Sequence, residues 1–243
     1  MLFRSIAAGA YHSFAIADSG TVYAWGANNF GQTGIPSHAG DSDTIIPLPT
    51  PIPALGAYAI RAIASGEHHS LACTQEGQVL IWGRSNDHQA GLSLSTLPLS
   101  TLPDSTSTST STSTLILDSR ARPPILAPTL IPDLSSVEAV AAGIDNSFAV
   151  TSRGGTSYAW GFGANYRTGL GTDESVETPT LVGEGKIITV AECGGQFSVL
   201  AGPGEVAGER PIMSAYDKVM AGPAGMQKYG LLDAPYRFGR LRV

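Results

Sequence analysis

The chain has 243 residues, long enough for a sizeable core, and one all-β domain can use that whole length. Apolar residues make up 42% and charged residues only 14%, the ordinary balance of a folded soluble protein. A net charge of −6 leaves no electrostatic footprint for DNA or anionic lipid, and no run approaches the roughly 18 apolar residues of a membrane-spanning helix.

From the N-terminus, Arg4 followed by Ile6–Ala17, with Ala15-Ile16-Ala17, has the outline of a short secretory leader. Tyr11, His12 and Ser13 interrupt it, and the same pattern returns at 66–73 and 143–150, so a repeat is the better reading. The unit runs Gly-x-x-x-Ser, an apolar run, a turn glycine, a second apolar run and Trp-Gly. Its copies span Gly9–Gly26, Gly66–Gly83 and Gly143–Gly161. Glycine to tryptophan is 16 residues in the first two copies and 17 in the third. Trp25 to Gly34, Trp82 to Gly91 and Trp160 to Gly169 are each nine.

Each copy reads as a hairpin. Ser13–Ile16 and Val22–Trp25 are strand-like around the turn Asp18-Ser19-Gly20, and Gln75-Glu76-Gly77 and Arg153-Gly154-Gly155 are the later turns. Pro47–Pro53 is extended but cannot be a central strand, because proline lacks a ladder donor. The glycine-to-glycine intervals are 57, 77 and 51 residues, and the wide one holds Ser105–Thr114, a strict Ser/Thr alternation with nothing to bury. Taking out about 25 connector residues restores a period near 50, which points to β-propeller blades. The chain returns to the body from Pro124 to Val140, and a fourth copy opens at Gly194-Gly195-Gln196-Phe197-Ser198 and stops after one strand. Residues 202–243 are rich in Gly and Pro, fit no repeat and read as a flexible tail. Cys73 and Cys193 belong to no C-x-x-C, which favours unpaired thiols in a reducing compartment. The expected fold is all-β, an incomplete propeller of about three blades over 1–201 with a disordered loop and tail.

The copies GAYHSFAI…VYAWGANNFGQTG, SGEHHSLAC…VLIWGRSNDHQAG and AAGIDNSFAV…SYAWGFGANYRTGLG, closing with GGQFSVL, resemble the regulator of chromosome condensation repeats. More narrowly, they are similar to the last three repeats of that family's exchange-factor branch. The resemblance implies a seven-bladed ring, a nuclear protein-binding scaffold, and promotion of GDP release from the small GTPase Ran. Exchange would work by remodelling the GTPase's phosphate and Mg²⁺ contacts, with no covalent chemistry and no cofactor of the scaffold's own. Exchange in the family uses a face assembled from most of the ring, and its chromatin contacts use a basic tail that these residues lack. The chain therefore reads as a C-terminal fragment or truncated product, deficient in exchange by itself. The alternative is a repeat-type interaction scaffold without exchange activity.

The resemblance also implies a contact set. In the family, acidic residues and a histidine two or three positions after the repeat glycine touch the GTPase. Those slots hold Tyr11/His12, His68/His69, Asp145/Asn146 and Gln196/Phe197, which gives Tyr11, His68, His69, Asp145 and Gln196 as partner-binding candidates. His12 and His69 recur on the repeat grid and read equally as inter-blade structural groups, whereas His68 breaks the grid. Trp25, Trp82 and Trp160 read as core between blades. His12-Ser13 and His69-Ser70 suggest a hydrolase, but neighbours on a strand face opposite ways and no nucleophile elbow is present. His68, His69, Asp87 and His88 lack zinc-ligand spacing. Direct nucleotide binding is not expected: there is no G-x-x-x-x-G-K-[ST], and Gly161-Phe162-Gly163 has no strand–helix context.

Deleting Ser105–Thr114 should leave the fold intact, since shortening a flexible loop changes closure entropy by only about 1 kcal/mol. A fall of several degrees in Tm would show that the tract packs.

Overall fold

A computed structural model describes residues 2–93, 122–151 and 155–203. The Ser105–Thr114 tract, Arg153, Gly154 and all but the first two residues of the 202–243 tail lie outside the described residues. Among the described residues, fourteen strands form four antiparallel sheets, each joined in sequence order without crossovers. The first sheet holds β1 (Phe3–Ala8), β2 (His12–Ala17), β3 (Val22–Ala27) and β4 (Ile45–Pro51). The second holds β5 (Ile60–Ser65), β6 (His69–Thr74), β7 (Val79–Gly83) and β8 (Ile125–Leu130). The third holds β9 (Val137–Ala142), β10 (Asn146–Thr151), β11 (Ser157–Gly161) and β12 (Val176–Val182). A two-stranded sheet, β13 (Val190–Cys193) and β14 (Ser198–Ala201), follows. The result is three full blades and the opening half of a fourth.

The central hairpin of each blade explains the repeat spacing. Ser13 pairs with Trp25, Ser70 with Trp82 and Ser147 with Trp160. The register is therefore the same three times, and the additional residue of the third copy falls in the turn between β10 and β11. Directly opposed residues share a face of the sheet, so each blade presents a serine and an indole side by side.

The first strands touch in succession, β1 with β5, β5 with β9 and β9 with β13, and so line the inside of the arc. The Gly-to-Ser segments do not enter these innermost strands. They leave them, and lead into the second strand of each blade. The proline-bearing connectors form the outermost strands. Pro47, Pro49 and Pro51 all have one parity on β4, whereas Ile52, of the other parity, donates its N–H to Val22 O at 2.9 Å. The proline nitrogens thus point away from β3, where no partner strand waits. On β8, Pro128 stands in the same relation to Ile131, whose N–H donates to Val79 O at 2.9 Å. A Pro-Thr pair recurs on all three outer strands. Thr50, Thr129 and Thr180 each donate Oγ1 to the carbonyl two residues back, at 2.8, 2.9 and 2.9 Å.

The core fills the space between blades. Trp82 and Trp160 are fully buried, and Phe14 of the first blade meets the Trp82 ring edge-on at 5.8 Å. Trp25 is only half-buried, and its indole N–H has no partner among the described residues. Both cysteines are free thiols. Among the described residues no helix is long and apolar enough to cross a membrane.

Trp82→Ala should destabilise the chain by about 3–5 kcal/mol, and Trp25→Ala by less than about half of that, because only the former opens a closed cavity. Urea unfolding of the two variants would show equal losses if the seams did not carry the stability.

Candidate partner-binding face

Each of the two seams between full blades is closed by one backbone carbonyl. Gln32 O, in the loop after β3, accepts from Ser70 Oγ at 2.8 Å and from Trp82 Nε1 at 2.8 Å. One blade on, Gln89 O accepts from Ser147 Oγ at 3.2 Å and from Trp160 Nε1 at 2.9 Å. The residue opening the second strand reaches forward to the same serine: His12 Nε2 lies 2.7 Å from Ser70 Oγ, and His69 Nε2 3.0 Å from Ser147 Oγ. In the third blade Asn146 Nδ2 donates to Ser198 Oγ at 3.2 Å.

Proton counting fixes the histidine tautomer. Each serine hydroxyl has one proton and gives it to the glutamine carbonyl, so the imidazole must donate from Nε2. The Nδ1 atoms of His12 and His69 are buried without a partner among the described residues. A Ser–His contact therefore exists, but between repeats and with the wrong polarity for a nucleophile, and no carboxylate stands behind the ring. Burial, reinforced by neighbouring histidines, lowers the pKa of both His12 and His69 to about 3, so both are neutral at physiological pH.

The residue just before the seam group lies in the turn between first and second strands, and its backbone is clamped. Tyr11 O accepts from Ala27 N at 2.9 Å, His68 O from Arg84 N at 2.9 Å, and Asp145 O from Phe162 N at 2.8 Å. This is why glycine follows each tryptophan. Gly26, Gly83 and Gly161 have φ of 107°, 99° and 96°, and a Cβ there would stand 2.4–2.6 Å from those same carbonyls.

These turns and the loops after Trp-Gly share one face of the arc. Tyr11 is 54% exposed and stacks on His68 with ring centroids 5.0 Å apart. Phe30 also meets His68, its ring tilted by 55° with centroids 4.9 Å apart. Arg84 lies 5.7 Å over the Phe30 ring, faces Asp87 at 3.3 Å and Asp145 at 3.8 Å, and donates to Asn86. Gln89 Nε2 donates to Asp145 Oδ1 at 2.8 Å. Glu67 approaches His68 Nε2 at 3.8 Å. Partial burial lowers the His68 pKa, with Arg84 acting in the same sense and Glu67 and Asp145 opposing it.

Of the five candidates, Tyr11 and His68 are in contact, and Asp145 joins their cluster through Arg84. Gln196 is exposed in the fourth turn and accepts from Asn165 at 3.1 Å, apart from that cluster. His69 does not share the face: it is fully buried in the seam. Phe30, Arg84, Asp87 and Gln89 were missed by sequence reasoning. The glutamines carried a signal, since Gln32 and Gln89 both stand seven residues after a repeat tryptophan. Their working atom is a backbone carbonyl, which residue type does not announce.

Fold and face define a repeat-built β-propeller that displays loop side chains along one face. The sequence profile of the RCC1-like domain matches residues 1–200, and the chain belongs to that family. It is 41% identical over 213 residues to protein pim1 of Schizosaccharomyces pombe, covering 86% of this chain and 37% of that protein. It is 34% identical over 204 residues to the guanine nucleotide exchange factor SRM1 of Saccharomyces cerevisiae, covering 82% and 39%. The crystal structure of Prp20p from the same yeast, described with its binding to Gsp1p and histones, superposes with a TM-score of 0.70 at 32% identity. That match covers 82% of this chain and 43% of Prp20p. The chain thus spans about two fifths of the length of these relatives.

The seam histidines make stability pH-dependent with a definite sign. Their folded pKa of about 3 lies below the ordinary 6.5, so the unfolded chain binds more protons between these values and stability falls as pH drops through that window. His69→Asn, which places the side chain of Asn146 in the second blade, should remove about 2 kcal/mol of the stability lost between pH 7 and pH 5. Urea midpoints at the two pH values decide it; equal losses in both proteins would mean that His69 is not held neutral.

Proposed function

We propose that this chain is the partner-binding arc of a Ran-directed exchange factor, acting in the nucleus, and that by itself it binds the GTPase without driving exchange efficiently. The carrying observation is the clamped series of turns that displays Tyr11, His68 and Asp145 on one face, at the slots where relatives are expected to contact the GTPase. The relative named a guanine nucleotide exchange factor supports the activity class. The two-fifths span supports the deficiency, because exchange requires contacts from most of the ring. Chromatin contacts would come through regions outside this chain.

The fit is chemical as well as positional. The face combines aromatic rings with carboxylates on a backbone that does not need to reorder on binding, which keeps the entropic cost of association low. A partner held this way can be released when its own nucleotide changes the docked loops. A scaffold without exchange activity is the second reading, favoured by the 45% identity over 89 residues to the ultraviolet-B receptor UVR8 of Arabidopsis thaliana.

GDP release from Ran separates the two readings. The chain should bind nucleotide-free Ran yet accelerate release far less than a complete seven-repeat relative, and His68→Ala should weaken that binding. Release as fast as with the complete relative would overturn the proposed deficiency, and no binding would overturn the Ran assignment.

A further inference from the structure

Arg84 stands at the clamping position of the second blade, yet its side chain touches three blades. It follows Trp82-Gly83 directly, where the first and third blades have Ala27 and Phe162. In all three blades this residue's backbone N–H holds the preceding turn, here through His68 O at 2.9 Å. Only in the second blade does the side chain continue. Its guanidinium lies over Phe30 of the first blade, pairs with Asp87 of its own loop, and faces Asp145 Oδ1 of the third blade. Gln89, from the same loop, donates to that same oxygen. Gln89 and Arg84 both meet the Asp145 carboxylate at Oδ1, and the Asp145 side chain stays 15% exposed.

We propose that Arg84 is a positioning residue of the partner-binding face: it holds the Asp145 carboxylate across the seam by one oxygen, so that Oδ2 is presented to the partner. The inference rests on the reading of this face as a GTPase contact. Alanine or phenylalanine at the equivalent positions cannot reach a neighbouring turn in this way. The fork of the guanidinium matters as much as its charge, because it serves Asp87 and Asp145 at once.

The test uses the full chain and nucleotide-free Ran, comparing the unaltered protein with Arg84→Met, Arg84→Lys, Asp145→Asn and the Arg84→Met/Asp145→Asn pair. Arg84→Met and Asp145→Asn should each weaken binding about tenfold, and the pair should be no weaker than about twofold beyond the poorer single variant, as expected when one acts through the other. Arg84→Lys should recover part of the loss. Unchanged binding by Arg84→Met, or losses that multiply in the pair, would overturn the proposal. If the unaltered chain does not bind Ran, the Ran reading falls, and the placement of Arg84 is read from the His68 imidazole titration by NMR. His68 is faced by Glu67, Arg84 and Asp145, with Tyr11 and Phe30 on its flanks. Arg84→Met should raise its midpoint, and an unmoved midpoint would show that Arg84 does not stand in this cluster.

Discussion

The architecture depends on a carbonyl oxygen that accepts two hydrogen bonds from the next blade. A carbonyl has two lone pairs, and Gln32 O and Gln89 O each spend both on a serine hydroxyl and an indole N–H. In an otherwise apolar seam, leaving either donor unpaired would cost about 1–3 kcal/mol, so the blades cannot slide past one another. The same requirement fixes the Ser–Trp register within the hairpin. It also explains the glycine nine residues after tryptophan: a Cβ on Gly91 would come within 2.7 Å of the Trp160 indole nitrogen.

The seam and the face are built from the same short segments, which is how a structural repeat comes to display varied side chains on one face. His12, His69 and Asn146 turn inward to the seam, while the residues before them turn outward, because adjacent residues entering a strand face opposite ways. The inward position keeps a hydrogen-bonding group able to reach the next serine. The outward position changes from Tyr11 to His68 to Asp145 on a backbone clamped identically each time. Partner chemistry can therefore vary from blade to blade with no change to the fold. The loop that carries Gln32 also carries Phe30, and the loop that carries Gln89 also carries Arg84 and Asp87, so the second layer of the face is placed by the seam too.

Legibility in the sequence followed the kind of atom doing the work. Side chains that repeat at fixed spacing, such as Ser70, Trp82 and Gly83, were readable and led to the blades, the hairpins and the family. The first strands were not read, because Phe3–Ala8 and Val137–Ala142 lie on the inside of the arc and carry no clean alternation. The outer strands looked like proline connectors, and only backbone parity shows why three prolines fit on β4. At the site, Tyr11, His68 and Asp145 were reached through the contact slots that the resemblance implies, and the alternative reading of His69 as an inter-blade group matches its burial. Phe30 and Arg84 were not, since their importance arises from meeting other blades and not from their own repeat position.

The charge state of the face follows from the same packing. His68 is enclosed by Tyr11 and Phe30, and that burial outweighs the attraction of Glu67 and Asp145 for a proton, so its pKa moves down and the ring is neutral at physiological pH. It contributes shape and a hydrogen-bonding edge, not charge. Glu67, Asp87 and Asp145 are then set against the single guanidinium of Arg84 within this cluster. Were His68 freely solvated, it would titrate near neutrality and make the face sensitive to small changes in pH. Partial burial beside the two rings moves its titration down from that range and leaves Glu67, Asp87 and Asp145 against Arg84 as the charges of this cluster. The rings that shape the face therefore also bear on its electrostatics, and a substitution at Tyr11 or Phe30 that opens His68 to solvent would raise its pKa.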